Sequence, residues 1–352
     1  MTWSVAMQHK QLDNSARPAA GAAGAQTMTS VVQDRYGPAP EDVLRLAEIA
    51  RPVIRRDEVL VKVRAAGVDR GTWHLMAGLP YPVRLAGFGV RRPKYANPGR
   101  SLAGTVETVG DGVTGFEPGD EVFGICSGSF AEYAAVRTGK LSRKPANLSF
   151  GQAAAVPISG LTALQAVRDH GRIRAGENVL IVGASGGVGS FAVQIAKVYG
   201  ADVTAVCSTP KTDMVRELGA GHVIDYTRTD FTDGAHRYDV ILDIGGNRRL
   251  SDLRRALTPK GRLVIVGSET GGRWLGGTDR QLRAQLLSPF IAQKLGTFVS
   301  SENAEDLAAL RELIESGKVT PAVERTYPLG EVAAAVRHML DGRTHGKLVI
   351  TV

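Results

Sequence analysis

The chain has 352 residues, and this length favours two domains because a single hydrophobic core usually stops growing at about 250–300 residues. Hydrophobic residues make up 43% of the sequence and charged residues 22%, an ordinary globular composition, and no apolar run approaches the roughly 18 residues that span a membrane. The formal net charge is +8, but no recognition motif accompanies it, so we expect neither a nucleic acid nor a membrane as a partner.

The amino-terminal segment and the two cysteines indicate the cellular compartment in which the protein works. Residues 1–27 are rich in Ala and Gly and contain no continuous apolar stretch, so they do not look like a secretory signal. They show no sustained periodicity, and we interpret them as a disordered tail or as an extension upstream of a start at Met28. Cys126 and Cys207 lie far apart and form no CxxC pair, which argues against a disulfide framework and against a structural zinc site. We expect a cytoplasmic protein.

Short strands and turns dominate residues 28–150. The runs EVLVKVRAAGV and SLAGTVETVG alternate apolar and polar residues, as half-buried strands do. The turn residues Pro118, Gly119 and Asp120 stand between two further apolar runs. The pattern predicts an antiparallel, barrel-like unit.

From about Gln152 the pattern changes to alternating helices and strands. Helical stretches such as FAVQIAKVYG separate five short apolar runs: NVLIVGAS, DVTAVCS, HVIDY, DVILDIGG and RLVIVGS. Near-continuous apolar strands are typical of a parallel sheet covered on both faces, and the alternation predicts a doubly wound fold. Two amphipathic helices and a closing strand, KLVITV, follow.

A glycine-rich segment, GASGGVG, directly follows the first of these apolar strands and precedes a helix. Glycine permits a tight turn and a close approach of backbone to a pyrophosphate, and the helix N-terminus offers free N–H groups to the phosphates. Because strand, glycines and helix agree, we interpret the segment as a dinucleotide-binding site rather than a turn without ligand. Its predicted cofactor-binding residues are Gly183, Ala184, Gly186, Gly187, Val188 and Gly189.

The end of the second strand of this unit indicates which dinucleotide is bound. An NAD site usually places an acidic residue there to hold the ribose hydroxyls. The segment here is VCSTPK and contains no acid. Ser208 and Thr209 can donate hydrogen bonds to a phosphate, and Lys211 adds positive charge, although a lysine at a helix start is often only solvated. The segment therefore favours NADPH.

Several motifs together resemble the quinone oxidoreductase branch of the medium-chain dehydrogenase/reductase superfamily. They are PGRSLAGTVETVGDGV, PGDEVFG, PISGLTALQAV, GASGGVGSFAVQIAK and GKLVITV, and the resemblance extends from Met28 to Val352. It implies an α/β protein with a GroES-like β-barrel-type catalytic domain, residues 28–150 completed by 297–352. A Rossmann domain with a doubly wound parallel sheet, residues 151–296, would bind the cofactor.

The same resemblance implies further cofactor contacts. Tyr226 would lie beside the adenosine 2′-phosphate and Thr162 near the nicotinamide. Gly245 and the Val266-Gly267 pair would follow strands whose carboxyl ends face the cofactor. We also expect a homodimer that acts on a small-molecule carbonyl or quinone.

The ligands of the zinc alcohol dehydrogenases in this superfamily are missing. Asp69 stands where they carry a cysteine, and Gly99-Arg100-Ser101 stands in place of their Gly-His-Glu stretch. The lobe of four closely spaced cysteines is absent as well. Zinc needs several converging nitrogen or sulfur ligands, so we expect no metal site.

Without a metal to lower a hydroxyl pKa, oxidation of an alcohol is difficult, whereas quinones and α,β-unsaturated carbonyls accept hydride directly from NADPH. The protein then contributes orientation, exclusion of water and a hydrogen-bond donor. Our candidates are Tyr81, near the place where related enoyl reductases carry a proton-donating tyrosine, and Asp69, where the family often carries Asn. Tyr81 could equally be a packed loop tyrosine, and Asp69 a helix or turn cap.

Two other function classes remain open. One is reduction of enoyl thioesters, which would need a basic surface near the cleft and a working Tyr81. The other is cofactor binding without significant turnover, as in the lens crystallins of this family. The sequence predicts a metal-free, NADPH-dependent reductase of quinones or enones.

Overall fold

A computed structural model describes residues 26–352 with the exception of residues 235, 247 and 268–271. Most of the predicted disordered tail, residues 1–25, lies outside the described residues. Thr27, its last residue, already belongs to the first strand.

The secondary structure follows the predicted order. The strands are β1 Thr27–Val32, β2 Arg45–Ala50, β3 Glu58–Val68, β4 Ser101–Val109, β5 Glu121–Ile125, β6 Tyr133–Arg137, β7 Leu141–Arg143, β8 Asn178–Val182, β9 Asp202–Cys207, β10 His222–Asp225, β11 Tyr238–Asp243, β12 Leu257–Ile265, β13 Lys294–Thr297, β14 Val323–Pro328 and β15 Lys347–Thr351. The α-helices are α1 Pro40–Val43, α2 Arg70–Ala77, α3 Phe150–Ala154, α4 Pro157–Gln165, α5 Gly187–Val198, α6 Thr212–Glu217, α7 Leu250–Ala256, α8 Thr278–Leu287, α9 Ala304–Glu315 and α10 Val332–Leu340.

A mainly antiparallel sheet forms the barrel-type unit. Its strand order is β14-β15-β3-β4-β5-β7, with β6 paired to β3, and only β14 and β15 run parallel. Strand β3 shows why the alternating sequence forms a strand here, because Val59, Val61 and Val63 point into the core while Lys62 is exposed. Strand β15, near the carboxyl end of the chain, lies between β14 and β3.

A six-stranded parallel sheet forms the second unit. Its order is β10-β9-β8-β11-β12-β13, the order of a doubly wound dinucleotide-binding sheet. Strand β8 is buried along most of its length, with Val179, Leu180 and Ile181 fully covered. The predicted α/β class, a GroES-like unit with a Rossmann sheet, is confirmed.

The two units share one apolar core. A single cluster of buried side chains includes Ala103 and Phe123 from the first sheet and Val179 and Ile181 from the second. The cleft between the units is therefore bordered by elements that pack on one core. No helix in the described part of the chain is long and apolar enough to cross a membrane.

A polar joint ties α4 and the turn after it to the start of α9. Gln165 donates a hydrogen bond to Asp306 at 2.7 Å, and Arg168 forms an ion pair with the same carboxylate at 2.7 Å. Asn303 caps α9 by accepting a hydrogen bond from the Asp306 backbone. Burial by itself would raise the pKa of Asp306, but these side-chain hydrogen bonds outweigh it and lower the pKa below its ordinary value.

Candidate functional site

The glycine-rich segment turns the chain from β8 into α5. Gly183 adopts a φ of +84°, and a Cβ there would lie 2.9 Å from the backbone nitrogen of Gly245. A Cβ on Gly189 would overlap the carbonyl group of Gly183 and the backbone of Ala184. Gly187 is the first residue of α5. The glycines therefore let the N-terminus of α5 approach the end of β8 and leave its N–H groups open to an anion.

A cleft of about 500 Å³ lies in front of this turn, between the two units. One end is lined by Ser208, Lys211 and Tyr226, and the other by side chains of the barrel-type unit such as Asp69 and Lys347. Such a position, outside the carboxyl ends of parallel strands, is where open sheets bind ligands.

Many of the predicted site residues meet in this cleft. Those that line it are Asp69, Gly183, Gly186, Gly187, Val188, Ser208, Lys211, Tyr226 and Gly245. The lining does not include Tyr81, Thr162, Ala184, Gly189, Thr209, Val266 or Gly267. Ala184 and Gly189 shape the glycine-rich turn instead, and Thr162 uses its hydroxyl to donate to the carbonyl of Ile158 at 2.8 Å. Direct contacts of any of these residues with a cofactor stay predictions.

Lys211 extends over one end of the cleft. Its amino group donates hydrogen bonds to the backbone carbonyls of Thr344 at 2.7 Å and Gly342 at 3.2 Å, in the loop after α10. Burial lowers the pKa of this lysine. Arg248, whose guanidinium lies 4.8 Å from the centre of the Phe231 ring, brings a second cation to the cleft lining.

Thr209 already has a partner within the protein. Its hydroxyl donates to the carboxylate of Asp225 at 2.5 Å and so is already used. Asp225 is the last residue of β10 and pairs with Cys207 at the end of β9, an acidic neighbour that the sequence of the second strand did not reveal. Hydrogen bonds from Thr209 and Thr227 lower the pKa of Asp225, and the carboxylate does not line the cleft.

Asp69 belongs to a buried polar cluster at the opposite end. Its carboxylate forms an ion pair with Lys347 and accepts hydrogen bonds from Ser101 at 2.9 Å and Ser159 at 3.0 Å. Asp69 also precedes α2, at the N-cap position, but its side chain makes no capping hydrogen bond there. The two positions that resemble zinc-ligand positions, Asp69 and Ser101, thus meet in the structure, and the cation beside them is an ammonium group.

Tyr81 lies in the long loop after α2, away from the cleft lining. Its ring packs edge-on against Trp274, with 5.0 Å between ring centres, and the guanidinium of Arg84 lies 4.9 Å from its ring centre. Its backbone N–H donates to the carbonyl of Arg273. These contacts correspond to the packed loop tyrosine that we kept as the alternative, and the role of proton donor stays a prediction.

A buried ion pair supports the loops that follow β11 and β12. Asp243 is fully buried and pairs with Arg280 of α8 at 2.5 Å. Burial raises the pKa of Asp243, although Arg280 opposes this. Its backbone carbonyl accepts hydrogen bonds from Val266 and Gly267. These hydrogen bonds hold the turn after β12, which contains both predicted residues, against the end of β11.

Sequence reasoning missed several lining residues. They include Ser159, Arg248, Thr344 and Lys347. A basic pair after a Rossmann strand was the one available signal for Arg248. Lys347 heads the closing strand KLVITV, and only its pairing with a strand far away in sequence brings it to the cleft.

The residues present fit a phosphorylated dinucleotide. Among the described residues that line the cleft, Arg70, Lys211, Arg248 and Lys347 are basic, and Asp69 is acidic but paired. Without a Cβ, Gly183 lets the turn pass close to the backbone of Gly245. The N-terminus of α5 supplies N–H groups for the phosphates. The described residues contain no group of three or more His, Cys, Asp or Glu side chains that could hold a metal ion.

Comparisons with known proteins agree with this geometry. Residues 55–146 match the family described as alcohol dehydrogenase GroES-like domain, and residues 218–350 match the family described as zinc-binding dehydrogenase. The chain is 31% identical to the quinone oxidoreductase of Homo sapiens, over 94% of this chain and 99% of the relative. It is 34% identical to the 2-methylene-furan-3-one reductase of Solanum lycopersicum, over 88% of this chain and 76% of the relative.

A solved structure of the quinone oxidoreductase from Coxiella burnetii superimposes with a TM-score of 0.78. It is 28% identical and covers 93% of this chain and 100% of the other. The likeness extends over both units and the cleft between them.

Proposed function

Because the chain belongs to the quinone oxidoreductase branch of the medium-chain dehydrogenase/reductase superfamily, we propose that it transfers hydride from NADPH to a quinone or an α,β-unsaturated carbonyl without a metal ion. The observation that carries the proposal is the cleft itself. It combines a glycine-rich dinucleotide turn with basic side chains and with a polar cluster on the facing wall.

The choice of NADPH over NADH rests on the end of β9. Ser208, Lys211 and Tyr226 line the cleft there, and Arg248 adds positive charge beside them. Asp225 is the nearby carboxylate, and its oxygens accept hydrogen bonds from Thr209 and Thr227. A 2′-phosphate would meet cations and a hydroxyl rather than a free carboxylate, which supports this choice.

Metal-free chemistry is supported by what surrounds Asp69. Its carboxylate oxygens are occupied by an ammonium group and two hydroxyls, so they do not converge with other ligands on an empty metal position. The cofactor supplies the hydride when bound. The residues of the chain then bind it, hold the acceptor against it and keep water out of the cleft.

A panel of acceptors tests the proposal. NADPH oxidation would be followed by absorbance with simple quinones, with enones and with an enoyl thioester, and each would be repeated with NADH. We expect turnover of quinones and enones with NADPH. Turnover of the thioester alone would favour an enoyl-thioester reductase, and tight NADPH binding without turnover of any acceptor would favour a crystallin-like binding protein.

We also propose that the barrel-type unit, residues 28–150 with 297–352, supplies the acceptor wall, and that residues 151–296 hold the cofactor. The positions of Asp69, Lys347 and the glycine-rich turn on opposite walls support this division. A homodimer is proposed as the working form. Sedimentation velocity tests it, and a monomer at micromolar concentration would contradict it.

A further inference from the structure

Arg280, a residue of α8 that does not line the cleft, holds two segments beside it. Its guanidinium donates hydrogen bonds to the backbone carbonyl of Arg248 at 2.8 Å and to that of Gly267 at 3.2 Å. Arg248 follows β11 and Gly267 follows β12, and these two strands are parallel neighbours. One side chain therefore joins the segments that leave the carboxyl ends of both strands.

A buried carboxylate fixes this guanidinium in place. Asp243, the last residue of β11, is fully buried and forms an ion pair with Arg280 at 2.5 Å. Its other oxygen accepts a hydrogen bond from the backbone N–H of Gly246 at 3.1 Å. Separating the partners of a buried ion pair is strongly unfavourable, so Arg280 stays beside Asp243. The backbone carbonyl of Arg248 is thereby anchored to the end of β11.

The side chain of Arg248 reaches from the loop after β11 to the segment after β10. Its guanidinium lies 4.8 Å from the centre of the Phe231 ring and 3.5 Å from the carboxylate of Asp230. Phe231 packs in one apolar cluster with Val182 and Val206, at the carboxyl ends of β8 and β9. A dinucleotide places its adenosine ribose at the end of the second strand of such a sheet. Arg248 and Phe231, which both line the cleft, therefore belong to the half that faces the adenosine.

We propose that Arg280, fixed by Asp243, positions Arg248 against the adenosine half of the cofactor and so sets the affinity for the cofactor from outside the cleft. The inference rests on the proposed function, because it requires a dinucleotide in this cleft. Arg280 and Asp243 are positioning residues, since neither lines the cleft and both act through Arg248. Without them the loop after β11 loses its anchor, and the guanidinium of Arg248 is no longer held over one place.

The test measures binding of adenosine 2′,5′-bisphosphate to the full-length protein by isothermal titration calorimetry, with thermal unfolding followed in parallel. Arg280→Met alone would leave the Asp243 carboxylate buried without its cation, so it is combined with Asp243→Asn, which keeps an oxygen for the Gly246 N–H. We expect this double variant to bind the probe about 10-fold more weakly, the lower end of the effect of losing a hydrogen bond to a charged group.

A cycle of variants shows whether the effect passes through Arg248. Arg248→Ala should weaken binding of the probe to a similar extent. Adding the double variant to Arg248→Ala should then bring little further loss, because effects transmitted through one side chain do not add. Arg280→Lys gives the same comparison if the double variant does not fold. It keeps a cation beside Asp243, but its single nitrogen cannot span the carbonyls that two guanidinium nitrogens reach.

A second ion pair of the same sheet provides the matched control. Arg262 of β12 pairs with Glu177 at 2.5 Å and donates a hydrogen bond to the backbone carbonyl of Gly171 at 2.7 Å. Neither Arg262 nor Glu177 lines the cleft. Arg262→Met combined with Glu177→Gln should lower the unfolding temperature, yet it should change the affinity for the probe by less than about twofold.

The inference is overturned if the double variant binds the probe as tightly as the unaltered protein does, or if its loss adds in full to that of Arg248→Ala. An equal loss of affinity in the Arg262 and Glu177 control would assign the effect to general loosening and would overturn it as well, as would an unaltered protein that does not bind the probe. Probe binding does not depend on hydride transfer. A protein that shows the expected cycle but oxidises no NADPH with any acceptor would refute the proposed function alone.

Discussion

Lys211 donates a hydrogen bond across the cleft to the backbone carbonyl of Thr344, at 2.7 Å. The first residue follows β9 of the parallel sheet, and the second belongs to the loop before β15 of the barrel-type sheet. The lysine expected to bind a 2′-phosphate thus also joins the two walls of the cleft. A phosphate that binds Lys211 would compete with the hydrogen bonds from this lysine to the loop before β15.

The first prediction concerns this lysine. Lys211→Ala should weaken NADPH binding by about 1.5–3 kcal/mol, the contribution of a hydrogen bond to a charged group, and should weaken NADH binding far less. Titration by cofactor fluorescence measures both. Lys318→Ala, an exposed lysine at the end of α9 that does not line the cleft, is the control. Equal affinity of the unaltered protein for the two cofactors would refute the assignment.

Metal removal gives the second prediction. Activity should survive prolonged treatment with a strong chelator, because Asp69 is paired with Lys347 and hydrogen-bonded by Ser101 and Ser159. Metal content measured by mass spectrometry, together with NADPH oxidation, checks this. Loss of activity on chelation and its recovery with zinc would overturn it.

Tyr81 provides the third prediction. Tyr81→Phe keeps the ring that packs against Trp274 and removes only the hydroxyl. Because Tyr81 does not line the cleft, enone turnover should stay nearly unchanged, instead of falling by the roughly 10²–10⁴-fold that loss of a general acid causes. A fall of that size with enones, and a smaller one with quinones, would restore Tyr81 as the proton donor.

The fourth prediction concerns Cys126. Burial raises the pKa of its thiol to about 12, so the reactive thiolate is scarce at neutral and mildly alkaline pH. Iodoacetamide at mildly alkaline pH should leave Cys126 unlabelled in the native protein and label it after unfolding in urea, as read by peptide mass spectrometry. Rapid labelling of the native protein would contradict the burial.

The fifth prediction concerns the joint at Asp306. Because its pKa is lower in the folded protein than in the unfolded chain, its ionised form adds stability above pH about 4, and this is lost as the pH falls through the lowered folded value. Asp306→Asn should cost about 1 kcal/mol in urea unfolding at pH 7. The difference should shrink toward pH 3, and an equal difference at both pH values would contradict the pairing.

Sequence reasoning succeeded where the signal was local. The glycines from Gly183 to Gly189 are close together in sequence, and their strand-turn-helix context is sufficient to locate the turn. Ser208 and Lys211 were found because strand ends in a parallel sheet share one edge.

The site features that sequence reasoning missed depend on contacts between distant parts of the chain. The hydrogen bond from Thr209 to Asp225 was not foreseen because Asp225 ends the neighbouring strand and is 16 residues away in sequence. Lys347 and Ser159 are 188 residues apart. Neither looks unusual within its own strand or helix, and only the pairing of β15 with β3 and the packing of α4 bring both to Asp69.

Strand β15 has a consequence for how the protein reaches its native state. It completes the barrel-type sheet by pairing with β3, and its Lys347 contacts Val68, a residue 279 positions earlier in sequence. The whole parallel sheet lies between them along the chain. Until these distant segments meet, the carboxyl-terminal part of β3 that pairs with β15 presents an open edge to neighbouring chains. Refolding should therefore be slow and concentration-dependent, with aggregation competing against closure of the sheet.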